Sequence, residues 1–548
     1  MSSPRAIAAM MGTCRTLYRE SEGARLLLRR GVSLARDNDI VSFSRFMLAD
    51  APARFPHLRK LTVSRGMFAD DAVAALKTLL THPALEIDSL VLRDAESVLS
   101  SGSSPQPALE DASCAVDWHP PLLGAFASLT TLRHLTLADL DERAYALLRM
   151  LPPGLVSATL LLDSPRARWG DPDARNPIVH LAAQADTLEA LCGTGFDVHP
   201  DHVAYDVVYP RVRRIQAEYT SRAMPATVAY VHAFPNVEHL ALMGERPGDD
   251  SDSEFDLDFD EGHEEEQEEG EGEWERGMSM RSRRNGHVPE PDPFTMQSVR
   301  AQRASNQADQ THYGSFARLR RVAGSVVDVY RLGLVCHVPE LRLRGDVTRP
   351  LAPMLRCVVD DVRPARLALT VVGGGPMFAE GGAVRALCAE PMAQCVRALE
   401  LEVCFAPSEG DVDVGVVLEN IFQTLIILPL HTLKLTLNHG LLSPPGRAGR
   451  SSHHCPAART LDALDVTEYA RRFRNAIPSL RKEEEGHVEV RRISDAGPHR
   501  YLLGPYGGSR HGSPAEFSDE EEWDWWTERR ILDLGFGVAV NEEFDDGW

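Results

Sequence analysis

Lysine is scarce in this chain. The 548 residues include only four lysines (Lys60, Lys77, Lys434 and Lys482) against 54 arginines. Avoidance of self-ubiquitination would explain this scarcity, but a G+C-rich coding sequence, which we favour, also explains the high proline and glycine content. No basic stripe with interleaved aromatic residues is present, so the sequence predicts no nucleic-acid partner.

Long apolar runs are missing as well. No segment approaches 18 uninterrupted apolar residues, and the first twenty residues contain no apolar run of the signal-peptide type. The nine cysteines show no C-x-x-C pairing, which favours buried, reduced thiols over a disulfide framework. We therefore expect a soluble protein of the cytoplasm, the nucleus or both, with no membrane partner.

Motifs for catalysis, cofactors and metals are also lacking. There is no G-x-S-x-G, H-E-x-x-H or kinase signature. The glycines at 373–375 follow an apolar strand, as in a phosphate cradle, but they lack the Lys-Ser/Thr of a P-loop, which favours a flexible connection between repeats. His453, His454 and Cys455 are adjacent in a predicted loop, so they do not all face one ion. The sequence predicts a non-enzymatic protein with no cofactor and no metal.

What the chain does contain is a recurring leucine pattern. Leu132, Leu135 and Leu137 have the spacing L-x-x-L-x-L, in which the last two alternate as in a strand with one buried face. Asp141 is positioned to cap a following helix with one apolar stripe, and Pro152–Gly154 ends that helix. A strand and a helix with one apolar face each need neighbouring copies to bury those faces.

The same pattern recurs along the chain, mostly at intervals of about 19 to 34 residues. It is found at Leu58/Leu61/Val63, Ile87/Leu90/Leu92, Leu132/Leu135/Leu137, Val237/Leu240/Leu242, Val338/Leu341/Leu343, Val396/Leu399/Leu401 and Leu430/Leu433/Leu435. Weaker copies are centred on Ala158, Leu191, Ile215 and Val322. We therefore predict an α/β fold, namely an irregular leucine-rich-repeat solenoid whose parallel strands share one sheet and are joined by helical crossovers.

An acidic run interrupts the pattern. Asp249–Glu275 holds sixteen acidic residues and no lysine or arginine, so the rest of the chain carries only −6 of the net charge of −22. Such a run cannot bury enough apolar surface to offset chain entropy. We predict a disordered insertion over residues 246–310. It is either a solvated loop or an interaction segment with phosphorylation at Ser251 and Ser253.

These patterns divide the chain into five parts. We predict a short helical N-terminal cap over 1–40, a first repeat array over 41–245, the acidic insertion over 246–310, a second repeat array over 311–440, and a C-terminal cap with flexible loops over 441–548. Trp523, Trp525 and Trp526 lie beside acidic residues in the last part. They form either a partner site or a cover over the final repeat.

The N-terminal cap contains a family-like motif. The run MMGTCRTLYRESEGARLLLRRGVSL, residues 10–34, has a helix ending in a T-C-R-x-L-Y-like segment, a small-residue turn and a helix of the L-L-x-R type. It resembles the back half of an F-box, and with the repeats behind it the chain resembles the fungal F-box/leucine-rich-repeat-like proteins. In that family the F-box binds the Skp-type adaptor of a cullin ubiquitin ligase, and the repeats hold the substrate. The resemblance implies adaptor binding by Met10, Met11, Cys14, Leu17, Tyr18, Leu27 and Leu28.

The repeat pattern also predicts where a protein substrate binds. The inward Leu, Val and Ile side chains form the core, so the x positions are displayed on the concave strand face. The predicted partner-binding residues are Arg133, His134, Glu238, Glu340, Arg342 and Glu400. Their mixed charges favour a protein surface over a phosphate backbone. Two functions stay open: a substrate-recruiting subunit of a cullin–RING ubiquitin ligase, and a scaffold with no ubiquitin role whose F-box remnant only caps the solenoid.

Overall fold

Parallel strands in sequence order are the basis of the fold. The computed structural model describes residues 28–29, 31–64, 68–100, 121–161, 176–194, 206–219, 226–244, 296–442, 455–481, 486–494 and 497–503. The strands are β1 Val32–Leu34, β2 Lys60–Val63, β3 Ser89–Leu92, β4 His134–Ala138, β5 Ser157–Leu161, β6 Ala190–Thr194, β7 Arg214–Tyr219, β8 His239–Gly244, β9 Arg321–Gly324, β10 Glu340–Val347, β11 Arg366–Val372, β12 Ala398–Cys404, β13 Thr432–Asn438, β14 His487–Ser494 and β15 Gly497–Leu503.

All fifteen strands belong to one sheet and follow the order of the sequence. Strands β1 to β14 are parallel to one another, whereas β15 pairs antiparallel with β14. Even β8 and β9 are direct neighbours, although residues 245–320 separate them in the chain. The predicted α/β class with a shared parallel sheet is confirmed.

Helices occupy the connections that parallel strands require. They are α1 Asp37–Ala49, α2 Ala51–Arg54, α3 Asp70–Leu80, α4 Ala95–Ser100, α5 Pro121–Ala127, α6 Glu142–Met150, α7 Pro177–His180, α8 Thr227–Ala233, α9 Met296–Tyr313, α10 Val326–Leu332, α11 Ala352–Val362, α12 Gly374–Phe378, α13 Ala383–Ala389, α14 Val414–Leu425, α15 Pro456–Asp462 and α16 Val466–Ala476. Buried apolar residues of the strands and helices form one continuous core.

The leucines of the repeat pattern lie side by side in this core. Leu61 is opposite Leu90, and Leu90 is opposite Leu135. The same row contains Leu240, Leu341, Leu399 and Leu433, and all seven side chains are at most 4% exposed. The weaker copies continue the row with Ala158, Leu191, Ile215 and Val322. The three-point pattern therefore located strands even where leucine is replaced.

The predicted cap at Asp141 is confirmed. The backbone N–H of Ala144 donates a hydrogen bond to the Asp141 carboxylate at 2.8 Å, and α6 begins at the next residue after this aspartate. This bond satisfies one of the N–H groups that have no partner inside a helix.

A fully buried glutamine holds the turn that follows α6. The N–H groups of Gly154 and Leu155 donate to Oε1 of Gln184 at 2.9 and 3.1 Å. Its Nε2 donates to the carbonyls of Leu151 and Pro152 at 3.2 and 3.1 Å. Because Gln184 lies in the connection after β5, it joins this connection to the one after β4 by polar contacts as well as by apolar packing.

The sheet begins earlier than predicted. Val32–Leu34 forms β1 and pairs with β2 inside the range that we assigned to the N-terminal cap. Helix α1 crosses the predicted boundary at residue 40. The short alternation of β1 contains one buried residue, Leu34, which is too weak a signal for a strand prediction.

The predicted disordered insertion extends too far along the chain. Residues 296–310 are helical and belong to α9, in which Val299, Asn306 and Gln310 are buried. Only one of these three side chains is apolar, so α9 has no apolar stripe that would predict its packing. The acidic run itself lies outside the described residues.

The parallel sheet also continues past the predicted end of the array at residue 440. Strand β14 pairs in parallel with β13, and α15 and α16 lie in the connection between them. Strand β15 pairs antiparallel with β14 and ends the described part of the sheet. The three C-terminal tryptophans lie outside the described residues.

Burial of the cysteines is less complete than expected. Of the seven cysteines in the described ranges, Cys388 and Cys404 are buried, Cys395 is exposed and the others are half-buried. Helices in the same ranges are all too short or too polar to cross a membrane.

Candidate functional site: the outer face of the sheet

One face of the sheet packs on the core through the pattern leucines. The residues that alternate with these leucines form the opposite face, on which the sequence analysis placed the partner-binding residues; we call it the outer face. In β4 this face carries His134 and Thr136, and in β12 it carries Glu400 and Glu402. Its central positions in β4 and β7–β9 are small or neutral and are buried: Thr136, Gln216, Ala241 and Ala323. Charged side chains are concentrated where the strands begin and on β10–β14.

The six predicted partner-binding residues are spread along the sheet. His134, Glu340, Arg342 and Glu400 lie on the outer face, whereas Arg133 and Glu238 lie one position before β4 and β8. Neighbouring strands are about 4.8 Å apart, so β4 and β12 are separated by roughly 38 Å. Among the six, the structure joins Arg342 to Glu340, with Nε donating to Oε1 at 2.8 Å.

Glu238 is a half-buried carboxylate between two exposed arginines. Its oxygens lie 3.5 Å from Nη1 of Arg213 and 3.7 Å from Nη1 of Arg320. The Glu238 side chain is 15% exposed, whereas those of Arg213 and Arg320 are 63% and 72% exposed. At this position solvent therefore meets the guanidinium groups rather than the carboxylate.

Glu340 repeats this arrangement two strands further along. Its carboxylate lies 3.5 Å from Nε of Arg321, 2.8 Å from Nε of Arg342 and 3.9 Å from Nη1 of Arg366. Glu340 is 20% exposed and Arg366 is 60% exposed. The Glu340 carboxylate therefore forms ion pairs with three guanidinium groups, and the exposed guanidinium of Arg366 leaves positive charge at the surface.

The sheet register brings these groups onto adjacent strands. Arg214, His239, Arg321, Glu340 and Arg366 are successive neighbours in one row across β7–β11. We call the following set the arginine cluster: Arg213, Arg214, Arg320, Arg321, Arg342 and Arg366, with Glu238, Glu340 and His239. Its formal charge is +4 with His239 neutral. Glu189, before β6, and Glu400, on β12, lie on the strands to either side.

His239 lies at the centre of the cluster and is half-buried. Burial and the positive charges of Arg321 and Arg214 lower the pKa of its imidazole. The negative charges of Glu238 and Glu340 act in the opposite direction and do not cancel these effects. Because burial is the largest cause, the shift shows first of all that the imidazole is shielded from water within the cluster.

Sequence reasoning named Glu238, Glu340 and Arg342 and missed Arg213, Arg320 and Arg366. Arg213 and Arg320 occupy x positions of the weaker copies centred on Ile215 and Val322, and Arg366 is the first residue of β11. The signal was present, because the x positions of a weak copy reach the same face as those of a strong copy.

The glycine turn at 373–375 binds a carboxylate of the chain itself. The N–H of Gly375 donates to Oε1 of Glu409 at 2.7 Å, and the N–H groups of Gly374 and Ala406 donate to Oε2 at 3.2 and 2.8 Å. Glu409 is 4% exposed. A Cβ on Gly375 would lie 3.0 Å from the Glu409 carboxylate, so the close approach depends on glycine. The turn therefore anchors the connection after β11 to the connection after β12.

The residues of the F-box-like run are almost all outside the described ranges. This applies to Met10, Met11, Cys14, Leu17, Tyr18 and Leu27. Leu28 is described, and it is 4% exposed and packs into the core just before β1. Within the described residues, no group of three His, Cys, Asp or Glu side chains is placed to hold a metal ion.

Comparison with known proteins adds no relative. No protein-family model matches the chain, and no curated protein is similar to it. Function is therefore inferred from the fold and the surface chemistry.

Proposed function

We propose that the chain is a leucine-rich-repeat-like solenoid that binds a protein partner on the outer face of its sheet. One observation carries this proposal: fourteen parallel strands follow each other in sequence order, with the pattern leucines in one buried row. In repeat proteins each unit contacts its neighbours, and the stack offers an extended surface for binding.

The chemistry of the outer face supports a protein partner. Acidic and basic side chains are adjacent on β10–β13: Arg342 lies beside Glu340 on β10, and Glu400 on β12 is opposite Lys434 on β13. Mixed charges at fixed spacing give orientation and selectivity to a protein–protein contact. A surface that binds a phosphate backbone would instead need sustained positive charge along its length.

Exposed charges of the outer face are expected to control partner affinity without controlling stability. A partner is first identified by affinity purification of the tagged full-length chain. Glu400→Arg and Arg133→Glu, both at exposed positions, are then expected to weaken its binding about tenfold each. The melting temperature is expected to stay within a few degrees, because exposed charges contribute little to stability.

Arg149→Glu on α6 is the matched control, since this arginine is 51% exposed on a helix rather than on the sheet. Equal affinity of all three variants and the parent would argue against the outer face. Loss of binding on removal of residues 504–548, with the three variants unaffected, would assign the partner site to the C-terminal segment.

We also propose, from the resemblance to F-box proteins, that the partner is a substrate of a cullin–RING ubiquitin ligase and that residues 1–27 bind its Skp-type adaptor. Leu28 is buried against the core and leads directly into β1, so an adaptor on the preceding residues would be held next to the array. The alternative is the scaffold without a ubiquitin role.

A pull-down with purified Skp-type adaptor separates these two functions. The full-length chain is expected to retain the adaptor, and a chain lacking residues 2–27 is expected to lose it. This truncation keeps β1, so the first strand pair is preserved. Equal retention by both chains, or by neither, would leave the scaffold without a ubiquitin role as the function.

A further inference from the structure

In the arginine cluster the guanidinium groups outnumber the carboxylates that they contact. Five of them, on Arg213, Arg320, Arg321, Arg342 and Arg366, lie within 4 Å of two half-buried carboxylates, Glu238 and Glu340. The three most exposed arginines, Arg213, Arg320 and Arg366, have 60% to 72% of their side chains exposed. Desolvating this much positive charge against an apolar or basic partner would be costly.

We propose that the arginine cluster is a docking site for an acidic peptide segment of the partner protein. This inference rests on the partner-binding role of the outer face and specifies the chemistry of the partner. Guanidinium groups bind carboxylates through two parallel N–H···O hydrogen bonds, which gives each contact a defined geometry. Glu238 lies 3.5 and 3.7 Å from Arg213 and Arg320, and Glu340 lies 3.9 Å from Arg366, so each exposed guanidinium group keeps donors for a second carboxylate.

The dimensions of the cluster define the length of the segment. It crosses the five strands β7–β11, which corresponds to roughly 19 Å at the usual strand spacing. An extended peptide advances about 3.3 Å per residue, so about six residues cross the cluster. The flanking acidic residues Glu189 and Glu400 set the limits of favourable contact for a negatively charged chain.

A peptide fits this site better than a nucleic acid. The positions beside the arginines are occupied by Gln216, Ala241, Ala323 and Ala368, which carry no ring, and the imidazole of His239 is half-buried, so the cluster offers little ring surface on which a base could stack. The two carboxylates within the cluster would also repel a continuous phosphate backbone. A peptide carboxylate can instead contact individual guanidinium groups between them.

The acidic run Asp249–Glu275 has the composition of such a ligand and belongs to the same chain. It is therefore a potential competitor, and the experiment is designed to separate it from a second protein. Titrations are performed both with the full-length chain and with a chain lacking Asp249–Glu275.

The direct test is a fluorescence-anisotropy titration with fluorescein-labelled octaglutamate. The full-length chain is expected to bind it with a dissociation constant on the order of 10 μM at low salt. Binding is expected to weaken about tenfold at high salt, because screening shortens the range of the attraction. Octaglutamine, which has the same length and no charge, is expected not to bind.

Two triple variants with equal change in net charge locate the site. Arg213→Gln/Arg320→Gln/Arg366→Gln removes the exposed charges of the cluster and is expected to weaken octaglutamate binding at least about tenfold. Arg45→Gln/Arg149→Gln/Arg459→Gln removes three exposed arginines from helices and is expected to leave binding unchanged. Equal loss in both triples would show a net-charge effect and overturn the assignment.

Three further outcomes would also overturn it. Octaglutamate that binds neither chain shows that the cluster is not an acidic-peptide site. Binding only to the chain lacking Asp249–Glu275 shows that the occupant is the chain's own acidic run rather than a partner. Tighter binding of an eight-nucleotide oligo-dT than of octaglutamate assigns the cluster to nucleic acid. If these tests fail while Glu400→Arg still weakens partner binding, the proposed function stands without this inference.

Discussion

A chain lacking residues 249–310 is expected to melt more than about 10 °C below the parent, whereas a chain lacking only Asp249–Glu275 is expected to melt within about 3 °C of it. The difference between the two deletions is residues 276–310, which include most of α9. The acidic run contributes no apolar periodicity, so its removal costs only a small change in loop-closure entropy.

Helix α9 is fastened to its neighbours by buried polar contacts. Nδ2 of Asn306 donates to the carbonyl of Arg331 at 2.8 Å, and the N–H of Thr227 donates to Oδ1 of Asn306 at 3.1 Å. Nε2 of Gln310 donates to the carbonyls of Leu332 and Gly333 at 3.0 and 2.9 Å. The carbonyls of Arg331, Leu332 and Gly333 lie at the C-terminal end of α10, where backbone carbonyls have no partner within the helix. Removing α9 leaves them without these donors.

Where α9 packs against the end of α10, the backbones of Arg303 and Gly333 approach each other closely. Gly333 has φ +54°, and a Cβ at this position would lie 2.7 Å from the carbonyl oxygen of Arg303 on α9. Arg303 also pairs with Asp361 at 2.5 Å and places its guanidinium 4.6 Å from the centre of the Tyr330 ring. Helices α8, α9, α10 and α11 are therefore joined around one polar cluster.

Point variants distinguish loss of α9 packing from a harmful change in chain length. Gln310→Ala is expected to lower the free energy of unfolding by about 1 to 2 kcal/mol, since it removes the Nε2 donor from the carbonyls of Leu332 and Gly333, while the Leu332 carbonyl keeps the hydroxyl of Thr227 as a donor. Gln297→Ala, at an exposed position of the same helix, is expected to change it by less than about 0.5 kcal/mol. Urea denaturation followed by circular dichroism measures both. A longer deletion that melts with the parent would show that α9 does not hold the sheet together.

Glu409→Ala is expected to lower the free energy of unfolding by about 3 kcal/mol. The Glu409 carboxylate accepts hydrogen bonds from three backbone N–H groups, those of Gly374, Gly375 and Ala406, and it is almost fully buried. Alanine removes all three acceptor contacts and opens a cavity at the N-terminal end of α12. Hydrogen bonds to a charged group contribute more than neutral ones, and unsatisfied buried donors are costly.

Glu409→Gln keeps the shape and one acceptor oxygen, so an intermediate loss of about 1 to 2 kcal/mol is expected. Glu400→Ala removes an exposed glutamate of β12 and is the matched control, with an expected change below about 0.5 kcal/mol. Hydrogen exchange at Gly374 and Gly375 gives a local readout. Unchanged protection and an unchanged denaturation midpoint for Glu409→Ala would show that the glycine turn is stable without its anchor.

The sequence by itself determined the buried row of pattern leucines and the start of the helix that follows β4. Leu135 and Leu137 alternate because successive side chains of a strand point to opposite faces, and Asp141 caps α6 because a short acceptor satisfies free N–H groups at a helix start. These relations involve residues within a few positions of each other. They are encoded locally, so they could be predicted, and the row of buried leucines followed from repeating them.

Only the tertiary structure decided the contacts between residues that are distant in the chain. Glu409 reaches Gly374 and Gly375 across 34 or 35 positions, and Asn306 meets Thr227 across 79. The arginine cluster likewise exists only because strand pairing aligns β7 with β11. Periodicity shows which face a residue occupies but not which groups lie opposite it, since hydrogen bonds and ion pairs depend on distances that the folded chain alone sets.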